Sequence, residues 1–268
     1  MIVYPDINPI AFRLGPIKVH WYGIMYLIGF ATAWLLGRWR AARPGSTWKP
    51  VDVDDLVFFG MVGGILGGRL GYVLIYGMTF WTSHNPWYPF EVWDGGMSIH
   101  GGFIGAIIAL AIFARRRGRS AADVCDFTAP LPAPGLFFGR MGNFINGELW
   151  GKPTTLPWGF LYHGVVRQPS QLYEGFLEGI VLFTVMWWFT ARARPRLAPS
   201  GLFLLLYGIF RFLCEFVRLP DPQIGYLAWG WLTMGQLLSI PMIFIGGALL
   251  TYAYSARVRS GNVGATAQ

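Results

Sequence analysis

Apolar runs of about membrane-spanning length dominate this sequence and limit the folds open to it. Aliphatic, aromatic and sulfur-containing residues make up 54% of the 268 residues, charged residues only 13%, and the mean hydropathy is +0.45. A helix needs roughly 20 apolar residues to cross the hydrocarbon core of a bilayer. Runs that approach this length cover residues 19–37, 56–77, 97–114, 124–146, 172–191, 201–217 and 232–254. We therefore predict an all-α polytopic integral membrane protein with seven transmembrane helices.

Basic residues in the connecting segments predict the orientation, because Lys and Arg in short loops are retained on the cytoplasmic side. One set of loops holds Arg38, Arg40, Arg43, Lys49, Arg115, Arg116, Arg117, Arg119, Arg192, Arg194, Arg196, Arg257 and Arg259. The opposite set holds only Arg13, Lys18, Lys152 and Arg167. We therefore expect the N-terminus outside and the C-terminus in the cytoplasm. The net charge of +8 is explained by these short clusters, so we expect no nucleic-acid partner.

The chain is predicted to form a single membrane-embedded catalytic domain over residues 1–254. A small external cap is expected at about residues 147–168, and a disordered cytoplasmic tail at residues 255–268. Residues 78–96 are rich in Trp and Tyr, which suits an interfacial segment on the outer face. Residues 1–18 lack an apolar core and predict no cleavable signal peptide. Cys125 and Cys214 fall in apolar runs and are interpreted as small buried hydrophobic residues.

Glycines on the second predicted span recur at a four-residue spacing, which lets helices approach closely. They form two stripes, Gly60, Gly64, Gly68 and Gly63, Gly67, Gly71. Arg69 lies among them, and a charge within a span is costly unless it is satisfied. It could line a cavity, or it could be a structural residue that donates to backbone carbonyls. The sequence leaves both readings open.

The fourth predicted span is interrupted by Pro130, Pro132, Pro134 and Gly135. Proline removes a hydrogen-bond donor from the helix interior. Broken backbone at membrane depth is tolerated only where protein or water covers it. We therefore expect a polar interior near the residues that follow.

Residues 139–151 read GRMGNFINGELWG and place ionisable and amide side chains at the end of this apolar run. Arg140, Asn143 and Gly147 have the spacing of one helix face, with Asn146 and Glu148 near its external end. A guanidinium suits a phosphate diester because it stays charged and offers paired donors, while amides and a carboxylate can bind hydroxyls. The alternative is an internal pair between Arg140 and Glu148 that holds the cap. The two readings are compatible.

A second polar stripe lies on the sixth predicted span, where Tyr207, Arg211, Glu215 and Arg218 follow helical spacing. Such a stripe must face the protein interior. Arg211 and Glu215 could form a neutral pair, which leaves Arg218 in need of another anion. The candidates are Glu174 and Glu178 on the fifth span.

His100 is the only histidine well inside a predicted span, and glycines flank it. An imidazole has an ordinary pKa of about 6.5 and can accept a proton near neutral pH, although it can equally be a hydrogen-bonded packing residue. Ser98 lies two positions away and no G-x-S-x-G motif is present, which argues against a serine protease. The other histidines lack the spacing of metal ligands, so we expect no metal site.

Several motifs in order resemble the bacterial prolipoprotein diacylglyceryl transferase family along nearly the whole chain. They are HWYGIMYLIGF from His20, GGRLGYVL from Gly67, WDGGMSIHGG from Trp93, GRMGNFINGELWG from Gly139, PSQLYEG from Pro169, GIFRFLCEFVRLPD from Gly208 and MGQLLSIPM from Met234. The resemblance implies the first step of bacterial lipoprotein maturation in the inner membrane. The diacylglyceryl group of phosphatidylglycerol would pass to the lipobox cysteine thiol of a prolipoprotein signal peptide, and glycerol phosphate would leave.

The same resemblance implies site residues, carried over where the motifs match. Arg140, Arg211 and His100 are implied as catalytic. Expected around the lipid headgroup or the reaction centre are Tyr22, Asn143, Asn146, Glu148, Tyr207 and Arg218. No cofactor or metal is expected, and the active site is expected to face the external side. The chain departs from the family at Gln168, where relatives often have His, so no role is assigned to that side chain.

A different class of function fits the charged residues on physical grounds alone. An anionic-lipid transporter or flippase could line its pathway with Arg69, Arg140, Arg211 and Arg218. The length of the matching motifs favours the enzyme over this alternative.

Overall fold

The computed structural model describes residues 2–15, 17–77, 81, 86–91, 96–220 and 225–265, and in these ranges the protein is mostly helical. The helices are α1 (Trp21–Ala41), α2 (Pro50–Tyr72), α3 (Ile99–Arg116), α4 (Ala121–Thr128), α5 (Pro132–Ile145), α6 (Ser170–Glu174), α7 (Leu182–Phe189), α8 (Ala198–Cys214) and α9 (Met234–Ala265). Two π-helical segments, Val73–Gly77 and Gly175–Val181, continue α2 and join α6 to α7. A 3-10 turn covers Tyr88–Phe90.

By length and hydropathy, three helical stretches in the described chain could cross a membrane, namely Pro50–Ile75, Ser170–Phe189 and Met234–Ser255. Ala198–Cys214 is a shorter apolar helix. The prediction of a helical, polytopic membrane protein is thus confirmed in its coarse form. Seven spans and their orientation stay predictions. Trp93 and most of the predicted interfacial segment lie outside the described residues.

The prediction of an all-α protein is wrong in detail, because the described residues include five short strands. They are β1 (Ile2–Val3), β2 (Ile10–Leu14), β3 (Ile17–His20), β4 (Phe160–Tyr162) and β5 (Val165–Arg167). β2 and β3 form an antiparallel hairpin, while β1, β4 and β5 form a sheet in which β1 is parallel to β4. Strands of two to five residues are too short to produce a recognisable alternation of apolar and polar residues.

The chain divides into two compact units, one made of Leu36–Val124 and the other of Met1–Leu35 with Cys125–Gln268. The prediction of a single catalytic domain stays a prediction. The helical backbone of α9 continues to Ala265, and the predicted disorder of residues 255–268 also stays a prediction.

In the unit Leu36–Val124, α2 packs closely against α3 through glycine. A Cβ atom added to Gly63 would lie 2.5 Å from the carbonyl oxygen of Gly105, and one added to Gly67 would lie 2.7 Å from the Cα of Gly105. Backbone atoms of the two helices are therefore in direct contact, as the glycine stripe predicts. At the start of α2, Asp52 accepts a hydrogen bond from the Lys49 amide at 3.0 Å.

Arg69 is a structural residue of this unit. Its guanidinium donates to the carbonyl oxygens of Tyr88 at 2.5 Å, Gly96 at 3.2 Å and Pro89 at 3.3 Å, and it lies over the Tyr88 ring. The side chain is almost fully buried. Of the two readings left open by the sequence, the structure supports the one in which backbone carbonyls satisfy the charge.

In the other unit, the prolines divide the fourth predicted span into α4 and α5, as expected. Asp126 on α4 accepts hydrogen bonds from the Leu197 amide at 2.6 Å and from the Ser200 amide at 3.1 Å. A carboxylate in this position satisfies free amides at the start of α8 and suits the positive end of the helix dipole. Cys214 is buried as predicted, whereas Cys125 is exposed.

The N-terminal strand β1 joins β4 and β5, which lie within the predicted cap, in one sheet. The external cap itself stays a prediction. Tyr4 follows β1 and packs edge-on against Phe144, Trp150 and Tyr162. Its hydroxyl lies 2.7 Å from the carbonyl oxygen of Phe144 and 2.9 Å from that of Ile145, at the end of α5. Tyr4 therefore helps to hold the segment that carries Asn143, Asn146 and Glu148.

We expect Tyr4→Phe to lower the stability of the detergent-solubilised protein by about 1 kcal/mol, because it removes one buried hydrogen bond. Burial, followed by the nearby Tyr162 and Asp6, raises the pKa of Tyr4 above its ordinary value of 10.0. The neutral form is thus favoured in the folded state, so this contribution is complete below pH 10 and is lost as the pH rises further. Thermal unfolding of both proteins between pH 7 and 11 should show the difference shrinking at the alkaline end. A constant difference would contradict the assignment.

Candidate active site

Six charged side chains meet in the unit formed by Met1–Leu35 and Cys125–Gln268, and we call them the buried ion cluster. The members are Arg140 on α5, Glu174 on α6, Glu178 in the π-helical segment, Arg211 on α8, and Glu215 and Arg218 just after α8. The three glutamate side chains are 0–5% exposed, and the arginines 10–17%. Burial of charge on this scale requires pairing.

Glu174 joins the two arginines that the sequence analysis ranks first. Its Oε2 atom lies 2.6 Å from Nη2 of Arg140 and 3.0 Å from Nη1 of Arg211. A single carboxylate oxygen therefore receives both guanidinium groups. The structure brings Arg140 and Arg211 together, although they are far apart in the sequence.

Glycines in the π-helical segment Gly175–Val181 make this approach possible. A Cβ atom added to Gly179 would lie 2.5 Å from the Cβ of Phe137, and one added to Gly175 would lie 3.4 Å from the Cβ of Arg140. α5 therefore packs directly on the π-helical segment. π-Helical turns are rare and occur often at functional sites.

Glu215 is fixed from a different direction. It pairs with Arg211, one helical turn earlier, and its Oε2 accepts a hydrogen bond from the Thr233 hydroxyl at 2.7 Å. Gly235 leaves room for the carboxylate, since an added Cβ would lie 2.5 Å from the carboxylate oxygen Oε1. Arg218 lies 3.8 Å from both Glu174 and Glu215, so the anion that the sequence analysis sought for it includes Glu174, as predicted.

Glu178 is completely buried, and its carboxylate is more loosely held. Its oxygens lie 3.5 Å from Arg140 and 3.9 Å from Arg211. Neither oxygen accepts a hydrogen bond from the part of the chain that the structure describes. Glu178 thus contributes charge to the cluster without the bridging geometry of Glu174.

A second polar group surrounds Glu148, at the C-terminal end of α5. The amide nitrogens of Asn143 and Asn146 each donate to one carboxylate oxygen of Glu148 at 3.3 Å. Gln171 donates to the backbone carbonyl of Glu148. The alternative pairing of Arg140 with Glu148 is therefore wrong, because Arg140 turns toward Glu174 and Glu178 while Glu148 is held by amides.

Tyr22, at the start of α1, lies against this second group. An added Cβ on Gly142 would meet the Tyr22 ring at 2.7 Å, so this glycine lets the ring sit on α5. The Tyr22 hydroxyl is 3.2 Å from that of Tyr26. The sequence analysis names Tyr22 only through family resemblance, since an aromatic residue near the membrane interface is common.

The two remaining predicted residues lie on different units. Tyr207 is on α8, one turn before Arg211, and its ring stacks on Phe203 at 5.9 Å. His100 belongs to the unit Leu36–Val124, is the second residue of α3 and is exposed. The helix begins beside it with Ser98, whose hydroxyl accepts from the Gly101 amide at 3.2 Å.

From the sequence, Glu174 and Glu178 are predicted only as partners for Arg218, and the central place of Glu174 in the cluster is not predicted. Thr233 and Gln171 are not predicted as site residues either. The available signal was the presence of two acids in an otherwise apolar span, which by itself indicates function. Which arginines they meet depends on helix packing.

Comparison with known proteins agrees with the motifs. The family model described as prolipoprotein diacylglyceryl transferase matches residues 9–252. A Coxiella burnetii protein named phosphatidylglycerol–prolipoprotein diacylglyceryl transferase is 56% identical over 97% of this chain and 100% of its own length. Proteins with the same name from Nitratidesulfovibrio vulgaris and Oleidesulfovibrio alaskensis are each 56% identical, over 93% and 94% of this chain and 95% and 96% of theirs. With this extent of matching, the chain belongs to the prolipoprotein diacylglyceryl transferase family.

Proposed function

We propose that this protein transfers the diacylglyceryl group of phosphatidylglycerol to the lipobox cysteine thiol of prolipoprotein signal peptides. The cysteine sulfur forms a thioether bond to the glyceryl carbon that carried the phosphate ester. The carbon–oxygen bond breaks, glycerol phosphate leaves with its electron pair, and the thiol proton passes to a base. The names of the relatives, which mention phosphatidylglycerol and prolipoprotein, support both substrates.

One observation carries the chemical part of the proposal. Arg140 and Arg211 converge on a single oxygen of Glu174, at 2.6 and 3.0 Å. Two guanidiniums directed at one oxygen are suited to a phosphate, and they stabilise the negative charge that develops on the leaving group. We assign Arg140 and Arg211 to this phosphate clamp.

The remaining site residues are assigned to the surroundings of the reaction. Tyr22, Asn143, Asn146 and Glu148 offer hydroxyl, amide and carboxylate groups suited to the glycerol hydroxyls of the headgroup. In the sequence, Tyr207 precedes the clamp residue Arg211 and Arg218 follows it. Support comes from the joint hydrogen bonding of the two amides to Glu148 and from the 3.8 Å approach of Arg218 to Glu174.

We also propose seven transmembrane helices, an external N-terminus and a cytoplasmic C-terminus. The protein would lie in the bacterial inner membrane with its active site toward the external face, where prolipoproteins present their lipobox. The distribution of basic residues in the loops supports this orientation. Accessibility labelling of single cysteines introduced at residue 13 and residue 117 in intact cells tests it, and labelling only at residue 117 would reverse the assignment.

Purified protein with phosphatidylglycerol and a synthetic lipobox peptide tests the activity directly. An enzyme yields a thioether-linked peptide, identified by its mass, and releases glycerol phosphate. A transporter or flippase would move phosphatidylglycerol between the leaflets of a vesicle without changing the peptide. That outcome would replace the proposed function with the alternative.

A free thiol has a pKa of about 8.5 and is mostly protonated at neutral pH, so its attack on carbon needs a base. We propose His100 as this base. We expect His100→Gln to lower the transfer rate by about a hundredfold, within the usual range for a general base. The rate of the variant should recover at alkaline pH as the thiol ionises unaided. A near-normal rate at pH 7 would assign His100 to packing instead.

A further inference from the structure

The buried ion cluster is electrically neutral, since three guanidiniums face three carboxylates. A phosphate that reaches the two clamp arginines must therefore add negative charge to a neutral group or take an arginine from a glutamate. Coulomb interactions are strong in a buried site because solvent screens them weakly. The carboxylates thus decide how tightly the cluster can hold an anion.

Glu174 and Glu178 carry the same charge but lie at different distances from Arg140 and Arg211. The Oε2 atom of Glu174 is within hydrogen-bond distance of both clamp arginines, whereas the Glu178 oxygens lie 3.5 and 3.9 Å from the same two groups. N–H···O hydrogen bonds in proteins usually have donor–acceptor distances of about 2.7–3.2 Å. Both glutamates supply one negative charge, but Glu174 also fixes the positions of the guanidiniums.

The backbone around Glu174 is itself held firmly. Ser170 donates to the Leu149 carbonyl at 2.6 Å, and Gln171 donates to the Glu148 carbonyl. Ser170, Gln171 and Glu174 are all fully buried. These contacts tie α6 to the end of the GRMGNFINGELWG segment, so the carboxylate of Glu174 is a rigid reference point for the two arginines.

We propose that Glu174 is a positioning residue of the phosphate clamp. It holds Arg140 and Arg211 on one oxygen, in the arrangement that a phosphate oxygen then uses, and its charge weakens the hold on the phosphate product so that glycerol phosphate can leave. The inference rests on the proposed function and extends it to anion release.

Three variants separate the two roles. Glu174→Gln and Glu178→Gln each remove one negative charge, but only Glu174→Gln removes the bridge, while Glu174→Asp keeps the charge and shortens the side chain. The measurements are kcat and KM for phosphatidylglycerol, the inhibition constant of glycerol phosphate, and the rise in melting temperature with glycerol phosphate or inorganic phosphate. Comparison of the two anions distinguishes recognition of the phosphate, which both share, from recognition of the glycerol hydroxyls, which only glycerol phosphate has.

We expect both glutamine variants to bind glycerol phosphate about tenfold more tightly than the wild type, because each leaves the cluster with one excess positive charge. Their melting temperatures should rise more with added anion, since a ligand that binds only the folded protein stabilises it. Glu174→Gln should also lose about tenfold or more in kcat through misplacement of the arginines. Glu174→Asp should lose kcat while keeping the wild-type affinity for glycerol phosphate.

Unchanged affinity for glycerol phosphate in Glu174→Gln, together with an unchanged response of its melting temperature, would overturn the charge role. Equal kcat in the two glutamine variants would overturn the positioning role. If Glu174→Gln is unstable, purification with glycerol phosphate supplies the missing anion, and Glu174→Asp provides a second test. A wild-type protein that forms no thioether would refute the proposed function, but the comparison of anion affinities would still decide this inference.

Discussion

Arg140→Ala is expected to reduce transfer of the diacylglyceryl group by at least about a hundredfold, the effect of removing one preorganised donor from a developing negative charge. Arg140 reaches Glu174 at 2.6 Å and shares that oxygen with Arg211. Removal of Arg140 therefore dismantles the clamp rather than weakening one of many contacts. The rate of thioether formation with saturating lipobox peptide measures the loss.

Two further variants separate the chemical effect from a loss of folding, which matters because an unpaired buried carboxylate is itself destabilising. Arg140→Lys keeps the charge without the paired donors, and we expect an intermediate rate. Arg13→Ala removes an exposed arginine of β2 and serves as the matched control, with a rate near that of the wild type. If Arg140→Ala were well folded, inserted in the membrane and as active as Arg13→Ala, the clamp would not exist.

Gly67→Ala is expected to cause a large loss of stability, about 3 kcal/mol or more, as overpacking of a tight contact does. The added methyl group would lie 2.7 Å from the Cα of Gly105 and against the Gly101 backbone. These neighbours are backbone atoms and cannot rotate away. α2 and α3 would have to separate along their contact.

Gly64, next to Gly63 of the stripe Gly63, Gly67 and Gly71, provides the matched control. A Cβ atom added to Gly64 meets nothing within 4 Å in the described structure. Gly64→Ala should be neutral or slightly stabilising, because alanine favours the helix by about 1 kcal/mol over glycine. Melting temperatures and the yield of monodisperse protein in detergent measure both variants. Equal stability of the two would contradict the backbone contact between α2 and α3.

Much of the candidate site could be predicted from the sequence, because polar residues are conspicuous in apolar surroundings. Arg140, Asn143 and Glu148 stand out in one segment, and Arg211, Glu215 and Arg218 in another. Helical spacing was sufficient to make Arg211 and Glu215 a candidate pair, because they are one turn apart, and the structure shows that pair. The alternative pairing of Arg140 with Glu148, suggested by their proximity in the chain, is wrong, because two amides donate to Glu148.

Local composition by itself determined the helical membrane character, the break in the fourth apolar run and the close contact of the glycine-rich helices. Each depends on residues near one another in the chain, where proline removes a donor, glycine removes a side chain and apolar length matches the bilayer. Only the tertiary structure decided that Glu174 joins Arg140 to Arg211 and that the N-terminal strand β1 pairs with β4. Those contacts join distant segments, and their geometry depends on how α5, the π-helical segment and α8 pack, which no local pattern specifies.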